Sequence, residues 1–357
     1  MSDSENTLEK NLKKLQCHFT WELNKEQADL NLLEIKLHET LEVVQEGYEG
    51  NLKRHSLNLL AYIKHLKGED EGALECLEKA ERENAHGERL CVVTYGNLAW
   101  VCHHIGDDIR AEGYIQKLEE VHKASATAST SVLQASATAS TSVLLVPREL
   151  HSEKAWSFLK FSKHHYTRAK ECFQEALQME PEDKEWNSGY AFSLFRLEGL
   201  VTREGQRLSY EDSLAVKQLK NALELNPDSA MTRVELAVRY SELKDTSKAM
   251  EKFQELWSRS DLKPSDRQAW HRMYGDVQLY RLGSERTAVN HYKEGMRLYN
   301  ISSEWSQCRR RLLKVLRVNR ERRRDDPYDI REFVDSFNRG GFNVEDAGVS
   351  ALTLGPP

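Results

Sequence analysis

Glycine and proline are scarce, 18 and 7 among 357 residues. So few breakers exclude collagen-like and Pro/Gly-rich linker chains and leave room for long helices. No apolar run approaches the ~20 residues that a membrane span needs, so no membrane partner is expected. The first ten residues are polar and charged and lack the apolar stretch of a secretory leader. Six cysteines (Cys17, Cys76, Cys91, Cys102, Cys172, Cys308) show no CxxC pairing and no His-rich spacing. They are expected to be buried thiols in a reducing, cytoplasmic compartment rather than zinc ligands or disulfides. The sequence has no GxxxxGK loop, no HExxH and no GxSxG. His103-His104 and His164-His165 are adjacent pairs, which point to different faces of a helix. No enzyme activity, cofactor or metal is therefore expected.

What is present is a phrase repeated six times: Ala, an apolar residue four positions on, and a small or apolar residue three further. It reads Ala73/Leu77/Ala80, Ala111/Ile115/Leu118, Ala169/Phe173/Ala176, Ala215/Leu219/Ala222, Ala249/Phe253/Leu256 and Ala288/Tyr292/Gly295. Pro181 and Pro227 each follow the last position of a copy by five residues. This is the second-helix signature of a tetratricopeptide repeat, in which small residues let two helices approach and the larger one fills the gap. The 34-residue period is clean only between Ala215 and Ala249; the other spacings, 38, 58, 46 and 39, leave room for insertions. The fold class expected is all-α, a tetratricopeptide-repeat helical solenoid (superhelix), which is a binding surface before anything else.

Charged residues make up 30% of the chain and the formal net charge is −6. The sum hides a segregation. Residues 303–324 hold nine Lys/Arg and two acids, a net of +7, leaving −13 on the rest. A cluster of that sign serves an anionic ligand whatever the total.

The organisation expected rests on these patterns. Residues 1–50 form N-terminal helices and residues 51–123 hold repeats one and two, with turns at Gly68 and Gly106. Residues 124–147 are a low-complexity loop: ASATASTSVLQ at 124–134 recurs as ASATASTSVLL at 135–145, without charge. Residues 148–227 carry repeats three and four, with a polar interruption at 198–209. Residues 228–300 carry repeats five and six, residues 301–325 a basic C-terminal helix, and residues 326–357 a loosely ordered tail.

Several phrases are longer than a generic repeat requires. They are Cys17-His18-Phe19-Thr20-Trp21, the run Asn58 to Gly68 (NLLAYIKHLKG), Tyr95-Gly96-Asn97-Leu98-Ala99-Trp100-Val101, Glu153-Lys154-Ala155-Trp156, Tyr274-Gly275 and Thr287 to Tyr292. In order and spacing they resemble the interferon-induced proteins with tetratricopeptide repeats, over roughly residues 8–300. Relative to that family, central repeats and the final repeats are expected to be missing. The resemblance implies a positively charged tunnel that holds the 5′ end of single-stranded RNA, triphosphate-bearing or capped without ribose methylation, and so blocks translation of viral RNA. It also implies, for some members, action through related repeat proteins or other host proteins.

The residue types such chemistry needs are Lys and Arg from different helices and aromatic platforms for the first bases. Trp156, Lys160 and Tyr166 in the third repeat match family pocket positions, as do Phe192 and Arg196 in the fourth. Trp156/Lys160 and Phe192/Arg196 are each four apart, hence on one face. Lys36 and Thr40 match on an early helix, where Leu32 replaces an acid of the triphosphate-binding members. Arg239 and Tyr240 are weaker candidates. Arg309, Arg310, Lys314 and Arg317 are expected to touch RNA backbone. The alternatives stay open for each: core packing for Trp156 and Phe192, packing at the start of its helix for Tyr166, solvation or pairing with nearby Glu for Lys160 and Arg196, and a solvated capping helix or a nuclear localisation signal for the basic helix. For the whole chain, the competing reading is a protein-interaction scaffold in innate immune signalling, without RNA-end recognition.

Overall fold

A computed structural model describes residues 3–44, 50–83, 91–135, 148–203, 208–298, 302–322 and 324–339. These residues are helical with connecting turns, and no strand occurs among them. The chain divides into two compact units, Met1–Pro181 and Glu182–Pro357.

The first unit holds α1 Asp3–Leu12, α2 Leu30–Val44, α3 Gly50–Leu66, α4 Asp70–Arg82, α5 Val92–His104, α6 Asp108–Ala135, α7 Arg148–Phe161 and α8 Tyr166–Met179. Hairpins α3/α4, α5/α6 and α7/α8 are the first three repeats. Gly68 and Gly106 close the first two at φ of 82° and 83°, a region that side chains resist. The second unit holds α9 Lys184–Arg203, α10 Leu214–Leu225, α11 Ala230–Glu242, α12 Thr246–Trp257, α13 Pro264–Tyr280, α14 Glu285–Leu298, α15 Ser303–Glu321 and α16 Ile330–Arg339. Its hairpins are α9/α10, α11/α12 and α13/α14, followed by α15 against α14 and α16 against α15. Several helices start on side-chain caps: Ser213 accepts from Val216 N at 3.2 Å and Asp245 from Lys248 N at 3.2 Å. Pro264 occupies the first turn of α13, where a missing N–H costs nothing.

Every position of all six copies of the Ala-apolar-small phrase is buried. The signature therefore marks the seam of each hairpin, as the repeat reading requires.

Three expectations need correction. The loop expected at 124–147 begins as helix: α6 continues through the first copy of the duplication to Ala135. Ala124, Ala126, Ala128 and Ala135 are strong helix formers, and extending an existing helix needs no new nucleus. The remainder, 136–147, lies outside the described residues. The tail expected from residue 326 contains α16, in which Ile330 and Val334 are buried and Phe333 and Phe337 pack on the cluster that includes Trp305, Leu312 and Leu316 of α15. These four apolar residues follow the i, i+3, i+4, i+7 spacing of an amphipathic helix; residues 340–357 lie outside the described residues. The polar interruption at 198–209 is helical as far as Arg203, and 204–207 lie outside the described residues.

Candidate functional site

In the first unit the candidate residues stand on α7. Glu153, Trp156 and Lys160 follow one another at i, i+3 and i+7, a single stripe of the helix. Trp156 is half-buried and meets Phe173 edge to face, with ring centroids 5.1 Å apart. Phe173 is the gap-filling residue of α8, so one side of Trp156 belongs to the hairpin core. The Lys160 ammonium lies 6.0 Å from the centre of the Trp156 ring, which places the expected ring and cation together. Tyr166 opens α8, half-buried. Lys36 is exposed on α2; the Thr40 hydroxyl donates to the Lys36 carbonyl at 2.9 Å, so its proton is already used within the helix.

Beneath this stripe lies a buried polar seam that the sequence reading missed. Asn58 of α3 donates from Nδ2 to Glu153 Oε1 at 2.7 Å and to Thr94 Oγ1 of α5 at 3.0 Å. His55 Nε2 lies 3.4 Å from Glu153 Oε2 and 3.5 Å from Arg54 Nη2. Arg54 is 1% exposed and Glu153 is equally closed from water. Desolvation raises the Glu153 carboxyl to about 7, against the pull of Arg54, Asn58 and Lys160. The same burial, with Arg54 and Lys160 nearby, lowers His55 well below the ordinary histidine range and keeps it neutral. The only local signal for Arg54 and His55 was two basic residues leading into the apolar run of α3.

A second buried link holds the short turn His18–Thr20 against α5 and α7. The backbone N–H of His18 donates to Asn97 Oδ1 at 3.1 Å, and Asn97 Nδ2 donates to His18 Nδ1 at 3.0 Å. His18 Nε2 therefore carries the proton and donates to Ser157 Oγ at 2.9 Å, while Ser157 donates to the Glu153 carbonyl at 2.8 Å. Burial pushes His18 down to about 3, so it stays neutral.

In the second unit Phe192 is half-buried and packs on the cluster that includes Leu194, Leu219 and Leu236. Arg196 is exposed, yet its Nη2 lies 3.1 Å from Oε1 of the buried Glu235 on α11, and its guanidinium sits over Phe195 at 5.6 Å. The pairing alternative is thus what the structure shows for Arg196. Arg239 is fully buried and salt-bridged to Glu198 at 2.5 Å and Glu242 at 2.9 Å, which removes it as a ligand candidate. On α15, Arg310, Lys314 and Arg317 are exposed along one side, whereas Arg309 is half-buried. The Lys314 ammonium lies 5.0 Å over the Tyr280 ring, itself exposed, and Arg317 stands 3.8 Å from Glu321. Arg311 turns inward and donates twice to Asp276, at 2.9 and 3.1 Å.

No family model matches the chain. Individual proteins do. It is 37% identical over 237 residues to human protein IFIT1 homolog B, covering 65% of this chain and 46% of that one. It is 33% identical over 235 residues to the human antiviral innate immune response effector IFIT1, covering 64% and 45%. A solved structure, the human IFIT1 dimer with m7Gppp-AAAA, superposes with a TM-score of 0.68 at 27% identity, over 93% of this chain and 67% of that one. The chain is similar to the interferon-induced proteins with tetratricopeptide repeats. Human IFIT1 with PPP-AAAA matches at a TM-score of 0.65 and 26% identity, over 87% and 64%. The chain spans about half the length of the curated relatives it matches. The phrases that carry the family resemblance meet in space: His18, Asn58, Asn97 and Glu153 come from four of them and are joined through Thr94 and Ser157 in the buried links of the first unit.

Proposed function

We propose that this protein captures the 5′ end of single-stranded RNA, bearing a triphosphate or an incompletely methylated cap, and so restrains its translation in the cytoplasm as part of antiviral defence. Capture is stoichiometric, without turnover. The observation that carries the reading is the Trp156–Lys160 pair, a half-buried ring beside a cation, on a fold that superposes on human IFIT1 solved with m7Gppp-AAAA and with PPP-AAAA. The ring supplies a stacking platform and the ammonium a counter-charge for phosphate. Arg310, Lys314 and Arg317 supply a non-specific hold on the backbone.

A second reading, capture of a protein partner, draws support from Arg196. Its ion pair with Glu235 leaves it less available for phosphate than a cation facing open solvent. One measurement separates the two: binding of a short RNA with 5′ triphosphate and with 5′ hydroxyl at one salt concentration. The expected outcome is a preference of at least roughly tenfold for the triphosphate that is lost on Lys160→Glu. Equal, weak, salt-sensitive binding of both RNAs sinks end recognition and favours the protein-partner reading.

A further inference from the structure

A wholly buried guanidinium needs a counter-anion, because an isolated charge in a low-dielectric interior is costly. Arg54 is such a group, and its Nε has no hydrogen-bond partner among the described residues. The polar group beside its Nη2, His55 Nε2 at 3.5 Å, is neutral. The carboxylate that this chain of contacts reaches is Glu153, through His55. Burial raises the Glu153 carboxyl to about 7, which weakens it as the counter-charge of Arg54. Lys160 acts on the same Glu153 and the same His55 as Arg54 does. Lys160 stands two turns along α7 from Glu153 on the same stripe, and Arg54 reaches Glu153 through His55, so both cations bear on one carboxylate; these three groups together are net positive in either charge state of Glu153.

We infer that Arg54 and Lys160 form the two-cation anion subsite of the first unit for an RNA 5′ phosphate, Lys160 in contact and Arg54 as the buried charge behind it, with the Glu153 carboxylate restraining its affinity. This rests on the reading proposed above. Arg54 is closed from solvent, so it acts through the low-dielectric interior rather than by touching the phosphate. Glu153 works in the opposite sense: ionised, it cancels one of the two positive charges, one in contact and one buried, that act on the ligand. The groups around Glu153 are Arg54, His55 and Asn58 from α3, Thr94 from α5 through Asn58, His18 facing His55 from the short turn, and Lys160 of α7 itself.

The sign gives a test that a merely structural role does not imitate. Glu153→Gln keeps the acceptor for Asn58 and removes the charge. It is expected to bind 5′-triphosphate RNA about fivefold more tightly than the unaltered protein at pH 8. The advantage shrinks toward one at pH 6, where Glu153 is already protonated; taking the ratio of the two proteins cancels the titration of the phosphate. Arg54→Met, checked for folding by its thermal melt, is expected to weaken the triphosphate RNA about tenfold, with 5′-hydroxyl RNA unmoved in both variants. Glu153→Gln that binds equally or more weakly at pH 8, while the triphosphate preference persists, overturns the subsite and leaves end recognition standing. A protein with no triphosphate preference at either pH overturns both.

Discussion

Single residues decide most of what the candidate site can do, and their partners often lie one repeat away. Arg196 and Glu235 are 39 residues apart and join α9 to α11. Burial raises the Glu235 carboxyl above its ordinary value, and Arg196 pulls it back. A raised acid withdraws stability as pH rises from its unfolded value through its folded one. Removing Arg196 raises Glu235 further and widens that window. Arg196→Ala is therefore expected to cost about 1–3 kcal/mol at pH 8 and less at pH 5, read by chemical denaturation at both. A loss independent of pH contradicts the pairing. The periodic pattern could not disclose this contact. Spacing of four showed that Phe192 and Arg196 share a face, but the residue opposite belongs to another helix. Arg54 was hidden for a related reason: nothing local says that a charge beside an apolar run is enclosed rather than solvated.

Helices and hairpins were the most legible level, because burial of the Ala-apolar-small phrase is imposed within each pair. The close approach it permits is sharpest between α13 and α14. A methyl group added at Gly275 would sit 2.6 Å from Cε1 of Tyr292, which is wholly buried and hydrogen-bonded to Asp276 at 2.8 Å. Alanine gains ~1 kcal/mol in helix propensity over glycine. The clash with a fixed ring costs more, so Gly275→Ala is expected to destabilise by about 1–3 kcal/mol in thermal or chemical unfolding. A stabilised variant would show that the hairpin can open to admit the methyl. Element ends were less legible than element cores. The polar stretch after residue 197 reads as a break, yet Glu198 accepts from Ser213 Oγ at 2.7 Å and from Ala215 N at 2.9 Å, tying α9 to the start of α10. Likewise α16 was masked by its short length and polar flanks, although its four apolar residues join the same cluster as α15.

At the scale of the whole molecule the governing feature is charge segregation, +7 over residues 303–324 against −13 elsewhere. Part of that positive charge is neutralised internally, since Arg311 is bound to Asp276. On the proposed reading, the outward-facing Arg310, Lys314 and Arg317 are the cations that would hold a polyanion by counterion release. Replacing all three by Gln is expected to lower the slope of log affinity against log salt by about two to three, leaving the ratio of triphosphate to hydroxyl binding unchanged. A changed ratio would mean that α15 takes part in end recognition.

The continuation of α6 into the duplicated segment bears on how this chain can vary in length. Eleven residues advance an α-helix by three turns with about 20° left over, so a unit of that size inserted or lost in helical phase barely rotates the residues beyond it. The first copy begins at Ala124, directly after Lys123, the last charged residue of α6. The first copy is therefore a ruler laid along the helix axis: it lengthens α6 by about 16 Å beyond Lys123 and brings the helix back to nearly the same angular register at Ala135.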